Sequence, residues 1–127
     1  MEYVRKRLHF VILCLISGAP RLLIGEEPAS ARLTGWFSDE KCATARVAEG
    51  LVGPTGQTCT RACLKKGVPM VFIDETGKTV LRVDNPRVVA GREGDHVQIE
   101  AVRKDAKSLH VTSVKVLEKY AAKCSVD

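Results

Sequence analysis

Apolar and polar residues alternate in several short stretches of the chain, and a period of two is typical of half-buried β-strands. The clearest example is the stretch HVQIEAV, which places Val97, Ile99 and Ala101 on one face. The strand-like stretches are separated by segments rich in glycine, proline and charged residues. The pattern predicts five strands, at residues 32–39, 69–74, 79–84, 96–102 and 109–117.

Three positions within this pattern predict local irregularities. Gly35 interrupts the first strand and predicts a bulge there. The turn at residues 75–78 closes a hairpin, and its Gly77 is free to adopt a positive φ. In the last strand the alternation changes phase near Ser113, which predicts a second bulge.

The segment at residues 41–67 does not alternate and predicts a helical insert after the first strand. A short helix is expected around residues 42–49, followed by a glycine-rich loop at residues 50–57. A second helix then begins near Thr58 and ends at Gly67, in the position where glycine terminates helices. Asp39 and Glu40 precede the first helix and are suited to cap its N-terminus.

The element order predicts a mainly β domain. Five short strands can close into a small OB-like barrel, here with a short helical, cysteine-bearing insert after the first strand. An SH3-like small barrel is the alternative, because the number of strands does not separate the two. The 127 residues fit one domain, and the sequence contains no internal repeat.

The N-terminus has the features of a secretory signal peptide. A cluster of basic residues precedes an apolar run at residues 10–19, which is about half the length that a membrane-spanning helix needs. Ala29 and Ala31 supply the small residues required for cleavage. We therefore predict a signal peptide at residues 1–31, a mature domain at residues 32–127 that is secreted or periplasmic, and no membrane span after cleavage.

The charge of the mature segment argues against a nucleic-acid partner. Residues 32–127 contain 16 Lys and Arg and 12 Asp and Glu, a net charge of +4. This is mildly basic, without the dense basic stripe of nucleic-acid-binding domains. Aromatic residues make up 5% of the chain, too few for a groove that stacks successive bases.

Four cysteines remain after cleavage, and an even number in a small exported domain predicts disulfides. Cys59 and Cys63 are four residues apart on a predicted helix. Their Cβ atoms would lie about 5–6 Å apart, beyond the roughly 3.5–4.5 Å that a disulfide requires. We favour Cys42–Cys63 with Cys59–Cys124, and the pairing of Cys42 with Cys59 and of Cys63 with Cys124 remains open.

The sequence does not support a metal site, a cofactor or an enzyme. No second Cys or His pair accompanies Cys59 and Cys63 at zinc-site spacing, and His96 and His110 lie on predicted strands. The spacing Cys-x-x-x-Cys is one residue longer than the usual redox motif. A Cys–His catalytic pair would need an unbonded thiolate, which the predicted disulfides remove.

Several motifs together resemble a known but uncharacterised family. They are the stretch GWFSDEKC at residues 35–42, the pair Cys59 and Cys63, and the closing segment at residues 94–114. The chain resembles small secreted bacterial proteins with a G-W/Y-x-S-D-x-x-C opening, which are similar to OB-fold domains, and the match covers most of residues 33–117. The resemblance implies an OB-like fold and export. The family has no assigned activity, so it implies no mechanism.

The predicted function is an exported, non-enzymatic binding or structural module of the cell envelope or extracellular space, whose ligand and partner are unknown. Its binding surface would be the open face of the sheet or the loop at residues 50–57. Trp36, the only tryptophan, is either a wall residue packing on the insert or a stacking platform, with Phe72 and Tyr120 as possible companions. The alternative is a metal-binding or thiol-redox protein that uses Cys42, Cys59 and Cys63.

Overall fold

The computed structural model of the protein describes residues 29–121. All the predicted strands and both predicted helices fall in this range. Cys124 and nearly all of the predicted signal peptide lie outside the described residues. Within residues 29–121, no helix has the length and apolar character needed to cross a membrane.

The described chain is mainly β, with a short helical insert after the first strand, as predicted. Each of the five strands lies where the sequence predicts it, and the ends differ by at most three residues. The first strand begins two residues before the predicted cleavage point. The elements are β1 (Ser30–Asp39), α1 (Glu40–Ala48), α2 (Gln57–Lys65), β2 (Met70–Asp74), β3 (Thr79–Val83), a 3-10 turn (Pro86–Val89), β4 (His96–Asp105) and β5 (Ser108–Glu118).

The five strands form one sheet that closes in a ring in the order β1-β2-β3-β5-β4. β1 pairs antiparallel with β2 along residues 35–39 and with β4 along residues 30–36. β2 with β3 and β4 with β5 form antiparallel hairpins. The ring closes where β3 runs parallel to β5, a contact of only two residue pairs in which Val83 lies opposite Leu109.

The side chain of Asn85 extends this short closing contact. Its Nδ2 donates a hydrogen bond to the Val111 carbonyl at 2.7 Å, and its Oδ1 accepts one from the Val111 N–H at 2.9 Å. Just before it, the Asp84 N–H donates to the Leu109 carbonyl at 2.9 Å. Asn85 therefore continues the pairing of β3 with β5 beyond the end of β3.

Inward-facing apolar side chains from all five strands fill the interior of the ring. Val97, Ile99 and Ala101 are fully buried, as their alternation predicts. The rings of Phe37 and Phe72 pack edge to face, with centroids 5.4 Å apart. Because burial of one large apolar side chain contributes about 1.5–3 kcal/mol, this interior supplies the main driving force for folding.

The helix α1 covers the outer face of β1, β2 and β3. Ala43 on α1 packs with Trp36, Val71 and Ile73 in a second apolar cluster. The strand β2 is consequently buried on both faces, which explains its uninterrupted apolar sequence. The outer face of β1–β3 is therefore occupied by the protein's own helix.

The bulge predicted at Gly35 is absent, and that prediction is wrong. Gly35 pairs in regular register with Asp74 on one side and with Val97 on the other. A Cβ atom at this position would overlap the Ile73 carbonyl oxygen. Gly35 is needed because the backbone of β2 approaches it closely.

The bulge predicted near Ser113 is confirmed. Ser113 pairs with Glu100, whereas the next pair is Val111 with Ala101, so Thr112 is the extra residue on β5. The Thr112 hydroxyl donates to the Glu100 carbonyl at 3.0 Å. A bulge of this kind bends the strand and helps the sheet to close.

Candidate functional site

A cleft of about 570 Å³ lies between the end of β5 and the loop predicted at residues 50–57, whose last residue begins α2 in the structure. This volume is within the range of about 300–1,000 Å³ that small-molecule sites occupy. Aromatic and charged side chains both contribute to its walls. They include Trp36, His96, Tyr120, Arg46, Glu118 and Lys119.

Trp36 and His96 form a stacked pair in one wall of this cleft. They are cross-strand neighbours on β1 and β4, and their ring centroids are 4.8 Å apart with planes inclined by 20°. Glu75 Oε2 lies 2.9 Å from His96 Nε2 and restrains the imidazole plane. Trp36 also packs on α1, as predicted for a wall residue, and is 9% exposed. His96, with its side chain 25% exposed, is the more accessible ring of the pair.

Of the two aromatic residues expected to accompany Trp36, only Tyr120 does so. Its ring lies against Gly94, where an added Cβ would come within 3.0 Å of the ring. The Tyr120 N–H donates to the Asp95 carboxylate at 2.7 Å, which holds this end of the chain on the cleft. Phe72 is fully buried inside the ring and cannot contact a ligand.

A chain of buried hydroxyl groups fixes the loop that forms the opposite wall. Thr55 on the loop is hydrogen-bonded to Ser38 on β1 and, at 2.7 Å, to Thr60 on α2. All three residues are at most 2% exposed. This chain of hydroxyl groups was not predicted, because scattered Ser and Thr residues have no diagnostic spacing before the fold brings them together.

Cys42 on α1 and Cys63 on α2 meet beside Asp39. One carboxylate oxygen of Asp39 and the two sulphur atoms lie within 4.8 Å of one another. Asp39 caps α1 as predicted, because its Oδ2 accepts the Cys42 N–H at 3.0 Å. Its Oδ1 is buried and has no hydrogen-bond partner among residues 29–121.

This environment changes the acidity of Cys42. Burial, followed by the neighbouring Asp39 carboxylate and Cys63, raises the pKa of the Cys42 thiol from its ordinary 9.0 to about 11. All three effects disfavour a negative charge on sulphur. Near neutral pH, an unbonded Cys42 is therefore protonated and is a weak nucleophile.

The predicted disulfide pairing is only partly within the described residues. Cys59 and Cys63 lie on α2 as predicted, with Cys59 exposed and outside the cluster formed with Asp39. The partner predicted for Cys59, Cys124, lies outside the described residues. No disulfide joins the three cysteines within residues 29–121, so the pairing stays a prediction. Cys42 and Cys63, the favoured pair, are the two whose sulphur atoms the fold brings close.

The two histidines considered for catalysis lie apart from the cysteines. His96 is in the cleft wall, and His110 Nδ1 lies 2.7 Å from Asp84 Oδ1, beside the closing contact of β3 with β5. The Ser38 hydroxyl is engaged with Thr55. Within residues 29–121, neither histidine belongs to the group that Asp39 forms with the two sulphur atoms.

Comparison of the chain with protein-family models, with curated proteins and with solved structures finds no match. The resemblance to small secreted OB-fold-like proteins therefore stays a prediction. The cleft and the cysteine cluster are the two features of the described residues that bear on function.

Proposed function

We propose that residues 32–127 form an exported, non-enzymatic binding module of the bacterial cell envelope or extracellular space. The observation that carries this proposal is the Trp36–His96 stack in the wall of the cleft. Small-molecule sites typically combine aromatic walls with a few polar side chains that orient the ligand, and this cleft has both.

The scaffold of this module is an OB-like barrel. The order β1-β2-β3-β5-β4, in which β1 pairs with both β2 and β4, supports this assignment over an SH3-like barrel. OB domains bind ligands on the face of strands 2 and 3 and on the adjoining loops. Here α1 covers that face, so binding moves to the loop at residues 50–57 and the neighbouring cleft.

The composition of the cleft favours a polar ligand that contains a ring, and an oligosaccharide fits best. Rings from Trp36, His96 and Tyr120 offer apolar contacts. Arg46 and Glu118 carry opposite charges and offer hydrogen-bond donors and acceptors. A nucleic-acid strand would need several rings along a basic track. The mixture of charges in this cleft is unsuited to a chain of phosphates.

The export of the module is supported by the basic start, the short apolar run and the small residues before Arg32. Cleavage after Ala31 removes only Ser30 and Ala31 from β1 and leaves its pairing with β4 from Arg32 onwards. N-terminal sequencing of secreted material should therefore begin at Arg32. A soluble cytoplasmic product that begins at Met1 would contradict export.

The binding proposal is tested by NMR titration of ¹⁵N-labelled residues 32–127 with oligosaccharides released from bacterial cell walls by a muramidase. Shift changes should concentrate on residues around Trp36, Thr55, His96 and Tyr120, and Tyr120→Ala should weaken binding several-fold. Arg103→Ala, on the exposed end of β4, is the matched control and should bind normally. Changes spread over the whole surface, or equal weakening by both variants, would contradict the proposal.

The second candidate is a thiol or metal site, and it rests on the convergence of Asp39, Cys42 and Cys63. Two thiolates and a carboxylate are ligands that zinc accepts, and a cation would satisfy the buried Asp39 Oδ1. A Cys42–Cys63 disulfide and a bound metal exclude each other. Titration of thiols after unfolding in a chelator without reductant decides between them, because a Cys42–Cys63 disulfide leaves neither thiol to react, whereas a metal site releases both.

A further inference from the structure

A second cavity, of about 560 Å³, opens where the end of α2 meets the start of β2. Its walls are mainly apolar, and it shares no lining residue with the cleft at Trp36. We call it the apolar pocket, defined by Leu64, Val68, Pro69, Met70, Pro86 and Ala90.

Two residues that line the apolar pocket also belong to, or pack on, the core of the ring. Met70 belongs to the core and is 7% exposed, and Leu64 packs against that core from α2. Val88, on the 3-10 turn that supplies Pro86 to the pocket, is 60% exposed but is not itself a lining residue. An apolar guest in this pocket would therefore bury surface that is otherwise in contact with water.

Charged side chains around the pocket are predominantly basic. Arg61 Nε lies 3.3 Å from Glu93 Oε2, and the Gly91 N–H donates to Glu93 Oε1 at 3.2 Å, so the one acidic group is already neutralised. Lys65 and Arg87 also line the pocket and form no ion pair with other residues in the described part of the chain. The pocket thus combines apolar walls with two uncompensated positive charges.

We propose that the apolar pocket binds a single-chain amphipathic anion, such as a medium-chain fatty carboxylate. The alkyl chain would contact Leu64 and Met70, and the carboxylate would pair with Lys65 and Arg87. The charge of the rim selects an anionic head group over a cationic or neutral one. This would be a second ligand site, independent of the oligosaccharide site proposed at Trp36.

The test uses dansyl-undecanoate, below its micelle concentration, as a fluorescent probe of residues 32–127. The probe should bind saturably with one site per chain and should be displaced by decanoate. Decyltrimethylammonium should displace it at least tenfold less well, and higher ionic strength should weaken the binding. Absence of saturable binding, or equal displacement by the cationic and anionic chains, would overturn the proposal.

Variants locate the site. Lys65→Glu with Arg87→Glu should weaken decanoate binding at least tenfold, and Val68→Asn should weaken it without changing the charge. Arg103→Glu with Lys104→Glu alters the net charge equally at a distant exposed strand end and should stay within twofold of the wild type. Tyr120→Ala should leave decanoate binding unchanged.

Other occupants give different results. Equal weakening by both charge-reversed double variants would show nonspecific attraction and would overturn the proposal. Binding to vesicles containing anionic lipid without binding of monomeric decanoate would point to a membrane surface instead. Sedimentation showing a dimer that excludes the probe would point to a second copy of the chain as the occupant. Either result would contradict the proposal that the pocket binds an amphipathic anion.

Discussion

Asn85 is predicted to hold the ring of strands closed, because β3 and β5 otherwise share only two residue pairs. Asn85→Ala removes two hydrogen bonds to Val111, at 2.7 Å and 2.9 Å. At a net value of roughly 0.5–1.5 kcal/mol for each bond, the loss should lower the free energy of unfolding by about 2 kcal/mol. For a domain of this size, that corresponds to a decrease in Tm of about 8–16 °C.

Urea denaturation measures the free energy of unfolding of each variant, and amide hydrogen exchange shows which part of the sheet has lost protection. The Val111 amide should exchange faster in Asn85→Ala. Asn85→Asp keeps an acceptor for that amide but sets a carboxylate oxygen against the Val111 carbonyl, so it should protect the amide better than Asn85→Ala without restoring the wild-type stability. Arg82→Ala is the control on the same strand, since it removes only an exposed ion pair with Glu40 worth at most about 1 kcal/mol. A change in Asn85→Ala of less than about 0.5 kcal/mol, with Val111 protection intact, would refute the role assigned to this side chain.

Three further predictions concern stability. Gly35→Ala should lower the free energy of unfolding, measured by urea denaturation, by about 1–3 kcal/mol, because the added Cβ meets the backbone of β2. Gly53→Ala should be close to neutral, because a Cβ there meets nothing within 4 Å. Reduction of the oxidised protein should lower its Tm by many degrees, since one disulfide contributes about 2–4 kcal/mol, and identical melting would exclude structural disulfides. In reduced, chelator-treated protein the pKa of Cys42 is raised from 9.0 to about 11, so the unfolded chain ionises first and stability should fall between those pH values. Cys42→Ser should lack that part of the decline, and an equal decline in both proteins would contradict the assigned cause.

The fold was predictable where alternation of apolar residues determines which face is buried. Val97, Ile99 and Ala101 point inward because a strand has a period of two, and the change of phase at Ser113 required an extra residue. Details of turns and glycines were less predictable. Lys78, and not Gly77, adopts the positive φ in the β2–β3 turn.

The candidate site was predictable only where its residues are close together in the sequence. Asp39 was identified as a helix cap from its position before α1, and its spacing of three from Cys42 could have indicated a shared surface. Its proximity to Cys63 depends on how α1 and α2 pack on the sheet, which no local pattern specifies. The stack of Trp36 on His96 likewise depends on the register of β1 with β4.

The proposed binding function is tested most directly by the emission of Trp36, the only tryptophan, during titration with cell-wall oligosaccharides. We predict a saturable change in emission for the wild-type protein, a several-fold weaker response for Tyr120→Ala, and no saturable response to an oligothymidine strand. An unchanged Trp36 emission while calorimetry detects binding, or the same response to the oligothymidine strand, would contradict the assignment of the cleft.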